Sequence, residues 1–322
     1  MTGTSHDNGL RDTLHGVVAA ALISAVAVSI PIIGFFALLL LPQPFIFYRL
    51  KLGRKQSVII MGAALLMLFL IIGQLFADVV FLLGMMGLGV FMGEFIERGC
   101  RVEQVVAYAC GAIFSAGLIL LFVYAAGLEM GVRELAADYI ARNLEKTLEL
   151  YEKIGMSEAS IQMLERSKGQ ITGILLRLSP ALTATGLLFA GWINLLVGRR
   201  LLRRWQDRGE LFEALNLWRA PEWLVWAVIA GIVLILIPGS TARFFGANAL
   251  VVLMLVYFFQ GIAVVAFYFE KKQVPQPFRW LIYAFIGIQQ ILLLVVVAIG
   301  FCDVWANFRR LQTPPDTPDA GP

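Results

Sequence analysis

Long, unbroken apolar runs decide most of what this chain can become. A helix needs roughly 20 mostly apolar residues to cross the hydrocarbon of a bilayer. The chain holds many such stretches, 105–127, 245–269 and 280–302 among them, and they leave little room for a separate water-soluble domain. Of its 322 residues, 59% are hydrophobic and 15% charged, whereas an ordinary soluble domain is about a quarter charged. The fold class is therefore all-α: a polytopic helical membrane protein of about eight transmembrane helices, with residues 1–311 forming one transmembrane domain.

Eight spans are predicted, at roughly 16–41, 57–74, 78–96, 105–127, 171–197, 222–238, 245–269 and 280–302. The second and third are joined by a short turn at Gln74–Asp78, which makes them a tight antiparallel hairpin. The first run carries Pro31 near its middle, with Pro42 and Pro44 after its end. Proline removes a backbone donor and kinks or ends a helix. Residues 16–48 are thus one kinked span, the reading favoured here, or two short ones meeting near Ser29–Pro31 and making nine in all.

The formal net charge is +4, and its distribution speaks against nucleic acid as a partner. Lys and Arg gather in alternate connections between the apolar runs. Arg49, Lys51, Arg54 and Lys55 lie in 42–56, Arg98 and Arg101 in 97–104, six arginines in 198–221, and Lys271, Lys272 and Arg279 in 270–279. The connection 74–78 has no basic residue, and 239–244 has only Arg243. The positive-inside bias makes the basic side cytoplasmic, so the chain is expected in a bacterial cytoplasmic (inner) membrane as a multi-pass protein. With eight spans both termini lie outside; splitting the first run moves the N-terminus inward. Trp218, Trp223, Trp226, Trp280 and Trp305 mark span edges, because amphipathic rings favour the headgroup boundary.

Two segments outside the spans have a pattern of their own. In 129–168, Val132, Ala136, Ile140, Leu144, Leu148 and Tyr151 recur every three to four residues, a helical apolar stripe. Gly155 suits the position just past a helix end and Ser157 the cap of the next helix. An extracytoplasmic helical hairpin follows, its second arm running into the fifth span. The stretch 199–217 combines an arginine cluster with Leu201, Leu202, Trp205, Leu211, Phe212 and Leu215. It reads as a cytoplasmic amphipathic helix lying on anionic lipid, or as a docking site for a partner protein. The proline-rich tail 312–322 is predicted to be disordered.

Candidate site residues are the polar groups inside hydrocarbon, which are costly unless paired or solvated. Gln260 and Gln289 each lie about ten residues from the inner end of their spans, a depth of roughly 15 Å. That places two amides side by side, as an interhelical hydrogen bond or as ligand contacts. Gln290 points about 100° away from Gln289. Arg177 is the strong cation within a predicted span, and Asp303 is expected at a similar level, so the two are predicted to pair at the mouth of an outward-facing cavity. Snorkelling of Arg177 to the headgroups is the alternative. Gly84, Gly87, Gly89 and Gly93, then Gly111, Ala112, Ser115 and Ala116, then Gly186 and Ala190, have the spacing that lets helix backbones approach closely.

Enzyme signals are absent: no GxSxG, HExxH, P-loop or dinucleotide fingerprint. His6 and His15 both precede the first span, and Cys100, Cys110 and Cys302 form no CxxC pair. No catalytic residue, metal site or cofactor is expected.

The motifs LPQPFIFYRLKLG, QG followed by FYFEKK, and GFCDVW followed by FRR run through the chain, with Gln260, Gly261, Gly300, Asp303, Trp305 and Arg309 in the most specific part. This pattern resembles the YybS-like family of bacterial polytopic membrane proteins, which is defined by a domain of unknown function. Such proteins are distantly similar to the substrate-binding subunits of energy-coupling-factor transporters. Those subunits bind vitamins or metal ions and dock on an energising module, though they typically have about six spans. The resemblance implies a small-molecule-binding, transport-related subunit whose energy comes from a partner on the arginine-rich face. The alternative is a non-transporting scaffold that organises envelope or division proteins through its outer hairpin and inner helix.

Overall fold

A computed structural model of the protein describes residues 3–72, 77–205 and 215–309. All regular structure among them is helical. Six stretches are long and apolar enough to cross a membrane: Gly9–Ser29, Ile33–Leu52, Val80–Glu97, Val102–Gly127, Glu158–Arg199 and Thr241–Lys271. A bent pair, Gln276–Ile288 with Gln290–Ala306, makes a seventh if it is one span. Among the described residues the count is therefore six or seven; about eight were predicted, and the predicted second span, 57–74, runs past the described residues. Large apolar side chains point outward from these helices, with Leu22, Phe245 and Val123 all more than half exposed. Such a surface suits lipid and not water.

The chain divides into two compact units, Met1–Ser179 with Gly186–Phe212, and Pro180–Thr185 with Glu213–Pro322. The first contains α1 (Gly3–Ser29), α2 (Pro31–Leu40), α3 (Pro42–Leu52), α4 (Arg54–Ile72), α5 (Ala77–Glu97), α6 (Val102–Gly127), α7 (Val132–Lys153) and most of α8 (Glu158–Trp205). The first apolar run is two helices, contrary to the favoured single kinked span. Pro31 disfavours the helical conformation in the residue before it, and Ile30 is extended at φ −121°, ψ 108°. Past this break α2 lies hard against α1: a Cβ on Gly34 would stand 2.5 Å from the Ala27 carbonyl oxygen.

Helix α3 packs on α5 through glycines. A Cβ on Gly89 would stand 2.3 Å from the Pro42 carbonyl oxygen, and one on Gly93 2.6 Å from Arg49 Cγ. This close approach buries Arg49, which reaches Glu94 at 2.6 Å and Glu97 at 2.5 Å. The other small residues divide. Gly87 faces Ile113 of α6, whereas Gly111 and Gly186 meet nothing within 4 Å. At the α2–α3 joint, fully buried Asn194 of α8 donates to the carbonyls of Leu39 and Ala190, each at 2.7 Å, and Gln43 donates back to the Asn194 carbonyl.

The predicted hairpin forms as α7 and the first arm of α8. Gly155 has φ 78°, the Met156 N–H reaches back to the Tyr151 carbonyl at 3.0 Å, and Ser157 Oγ accepts from the Ser160 N–H at 3.4 Å. The six stripe residues of α7 are half-buried, and Lys168 meets Glu145 at 2.5 Å across the arms. Helix α8 then continues unbroken for 48 residues, roughly 70 Å. Within it Pro180 cannot donate to Leu176, and Ser179 Oγ supplies that carbonyl with a hydrogen bond at 3.0 Å.

The second unit holds a 3-10 turn (Leu215–Leu217), α9 (Leu224–Leu236), α10 (Ser240–Lys271), α11 (Gln276–Ile288) and α12 (Gln290–Ala306). Helix α9 is only 13 residues long; it packs on α10 where a Cβ on Gly246 would stand 2.7 Å from the Gly231 carbonyl oxygen. The predicted eighth span, 280–302, is broken at Gln289, where α11 and α12 meet at a bend of 103°. Of the remaining expectations, part of the Gln74–Asp78 turn, residues 206–214 of the 199–217 amphipathic helix and the tail 312–322 lie outside the described residues. Residues 199–205 are the end of α8.

Candidate functional site

The second unit is organised by a glycine-to-glycine crossing of α10 and α12. A Cβ on Gly300 would stand 2.0 Å from the Tyr257 carbonyl oxygen, and one on Gly261 would stand 2.0 Å from the Val296 carbonyl oxygen. Side chains other than hydrogen cannot fit at this distance. The crossing therefore brings the neighbours of both glycines together: Gln260 beside Gly261, and Asp303 less than one turn after Gly300.

Asp303 is fully buried and has three donors around its carboxylate. Arg309 Nη2 lies 2.7 Å from Oδ2, Gln260 Nε2 3.3 Å from the same oxygen, and the Phe308 N–H 3.0 Å from Oδ1. The Phe308 bond closes the end of α12, where Asn307 takes the left-handed conformation at φ 41° and its N–H bonds the Asp303 carbonyl. Arg309 also donates to the Asn216 and Trp218 carbonyls at 2.8 and 2.9 Å. Gln260 accepts from the Ala220 N–H at 3.3 Å. Arg219 donates to Asn307 Oδ1. One buried carboxylate thus ties together α10, α12 and the irregular segment 216–220.

The same contacts fix where α12 ends. Tyr268 Oη, one turn from the end of α10, donates to the Phe308 carbonyl at 2.9 Å. Arg309 holds the Asn216 carbonyl, and Asn216 Nδ2 reaches Glu270 at 2.5 Å. Arg279 donates to the Val274 and Phe269 carbonyls, closing the loop between α10 and α11. The chain therefore enters α11 beside the end of α10, turns at Gln289, and comes back to the C-terminal part of α10. Both ends of the bent pair lie at the C-terminal part of α10, as they would in a re-entrant loop. A pair crossing the bilayer would end about 30 Å away.

The predicted meeting of the two amides is overturned, and Asp303 has a partner of its own within the second unit. Gln260 is buried against Asp303, while Gln289 and Gln290 are exposed at the bend, so the two amides expected at one depth do not meet. The depth argument assumed an unbroken eighth helix. Asp303 is paired with Arg309; Arg177 is an exposed residue of the first unit. Sequence reasoning used Arg309 only as part of a motif, because seven residues beyond the predicted span end at 302 a cation looks solvated. The αL turn at Asn307 folds it back inside. Asn194 and Glu94 were also missed, although each is a polar residue within an apolar run, the signal that picked out Gln260.

A family model described as "Predicted membrane protein (DUF2232)" matches residues 17–304. The chain belongs to this family. It is also 23% identical to the "Uncharacterized protein YybS" of Bacillus subtilis (strain 168) over 301 residues, covering 90% of this chain and 94% of that one. No solved structure matches. The family match spans both units, and its last residues, up to 304, take in Asp303 but not Arg309.

Proposed function

We propose that this family member is a transport-related membrane protein that binds a small molecule at the bent helix pair of its second unit. The observation that carries this reading is the 103° break at Gln289 within an otherwise apolar stretch. A broken helix leaves backbone N–H and C=O groups unpaired, and lipid does not tolerate them. Membrane proteins keep such breaks where they line a watery cavity or are buried in protein, and in transporters the half-helix ends hold substrates and ions. Gln289 and Gln290 place two amides, each a donor and an acceptor, at this break. The Asp303–Arg309 cluster anchors the returning end, giving a fixed base under a polar tip.

Any energy supply would come from a partner on the arginine-rich segment 199–217, as in the energy-coupling-factor arrangement that the sequence pattern suggests. The membrane is the bacterial cytoplasmic membrane, with the basic connections inside. The scaffold reading draws support from α7 and α8, whose long hairpin arms carry charged, exposed outer faces.

Native mass spectrometry of the full chain extracted gently from its own membrane separates the two readings. The binding reading expects a reproducible adduct of metabolite mass that disappears in the Gln289→Leu, Gln290→Leu double variant. A co-purifying protein with no small-molecule adduct would favour the scaffold.

A further inference from the structure

Among the described residues the buried cluster carries more positive charge than it neutralises. It contains two guanidinium groups, Arg219 and Arg309, which repel one another, and one carboxylate, Asp303. Among the described residues the carboxylate is committed to Arg309, and Arg219 makes no ion pair. The Nε atoms of both arginines are buried without an acceptor. Arg219 uses one of its five N–H donors on Asn307 and is only half-buried, so it is reachable from outside. Unpaired buried donors on a charged group are costly, and a guanidinium fork matches the oxygens of a phosphate better than any other common anion except a carboxylate. Asp303 takes such a position on Arg309, and among the described residues no carboxylate takes it on Arg219.

The surroundings point the same way. Trp223, Trp226, Trp280 and Trp305 of this unit are each more than 60% exposed. Trp223 and Trp226 follow Arg219 at the start of α9, and Trp305 lies between Asp303 and Arg309 in sequence. Tryptophan favours the headgroup level of a bilayer. Arg219, with a buried Nε that has no acceptor, thus shortly precedes two exposed tryptophans in the chain, the residue type that marks the level of lipid phosphates.

We propose that Arg219, backed by Arg309, is a binding site for a phosphate group, carried by an anionic lipid or by a soluble phosphorylated molecule. The site is independent of the Gln289 break and stands or falls without it. The phosphate oxygens would take the Arg219 donors left over from Asn307 and neutralise the excess charge of the arginine pair.

The test uses the full chain in nanodiscs, with melting temperature and native mass spectrometry as readouts. One arm compares phosphatidylglycerol with phosphatidylcholine bilayers; a second titrates inorganic phosphate in phosphatidylcholine. The variants are Arg219→Gln, which removes the fork but keeps a polar side chain, Arg219→Lys, and Arg243→Gln as a control at an exposed cation elsewhere in the same unit. The expected result is saturable stabilisation with a retained adduct in wild type and Arg243→Gln. Apparent affinity should fall at least tenfold in Arg219→Gln and by less in Arg219→Lys. A response to phosphatidylglycerol alone identifies a lipid, and a response to free phosphate identifies a soluble ligand. No response to either probe in wild type, or an equal response in wild type and Arg219→Gln, would overturn the proposal. A variant that fails to fold shows itself by loss of the cooperative melt in phosphatidylcholine, and Arg219→Lys then carries the comparison.

Discussion

Arg309 and Asp303 form a 2.7 Å ion pair in which both side chains are fully buried. A buried pair of this kind contributes little net stability by itself, since the desolvation of two charges offsets their attraction. Its effect is geometric. It holds Arg309, three residues past α12, against the carbonyls of Asn216 and Trp218, and so turns the end of the bent pair back into the unit.

Breaking the pair one partner at a time leaves an uncompensated buried charge, which costs about 3–5 kcal/mol. Arg309→Met and Asp303→Leu are each expected to lower the melting temperature in detergent sharply. The double variant is expected to recover much of the loss. A double variant as unstable as the sum of the singles would mean that the two charges do not act as a pair.

The glycine crossing makes a sharper forecast at the backbone. In Gly300→Ala the new methyl would stand 2.0 Å from the Tyr257 carbonyl oxygen, forcing α10 and α12 apart at a cost of roughly 1–3 kcal/mol or more. Gly287 of α11 has nothing within 4 Å of its would-be Cβ. Gly287→Ala should therefore be neutral or mildly stabilising, by up to about 1 kcal/mol, from helix propensity. Thermal melts of the two alanine variants side by side check the contrast.

In the first unit, Asn194→Leu removes the donor that serves the Leu39 and Ala190 carbonyls. An unsatisfied buried carbonyl costs about 1–3 kcal/mol. Hydrogen exchange should show faster opening at the α2–α3 joint, at the amides of Leu41 and Gln43, while the α7–α8 hairpin stays unchanged.

What could be read from the sequence follows a physical divide. Apolar runs, the Gly155–Ser157 turn and the α7 stripe are local signals, and the chain obeys them. Pro31 announced a break, and the structure resolves its two readings in favour of separate helices. Gln260 and Asp303 stood out because polar groups are expensive in hydrocarbon. Their partners did not, because pairing depends on tertiary placement. The bend at Gln289 has no proline, and the nearest glycine is two residues earlier, so an apolar run of ordinary length concealed two helices. Arg309 was out of reach for a similar reason, since its burial follows from the left-handed turn at Asn307. Gly261 and Gly300 were part of the recognised motif, but only the crossing shows that they touch.

The re-entrant course of α11 and α12 is the central claim, and one distance tests it. Spin labels at Lys272 and Ala306, both exposed, of the full chain in nanodiscs, read by pulsed electron resonance, report how far α12 ends from the loop that starts α11. The account predicts a separation well short of the ~30 Å hydrocarbon thickness. A distance of that thickness or more would mean that the pair crosses the membrane, and would contradict both the returning end and the site built on it.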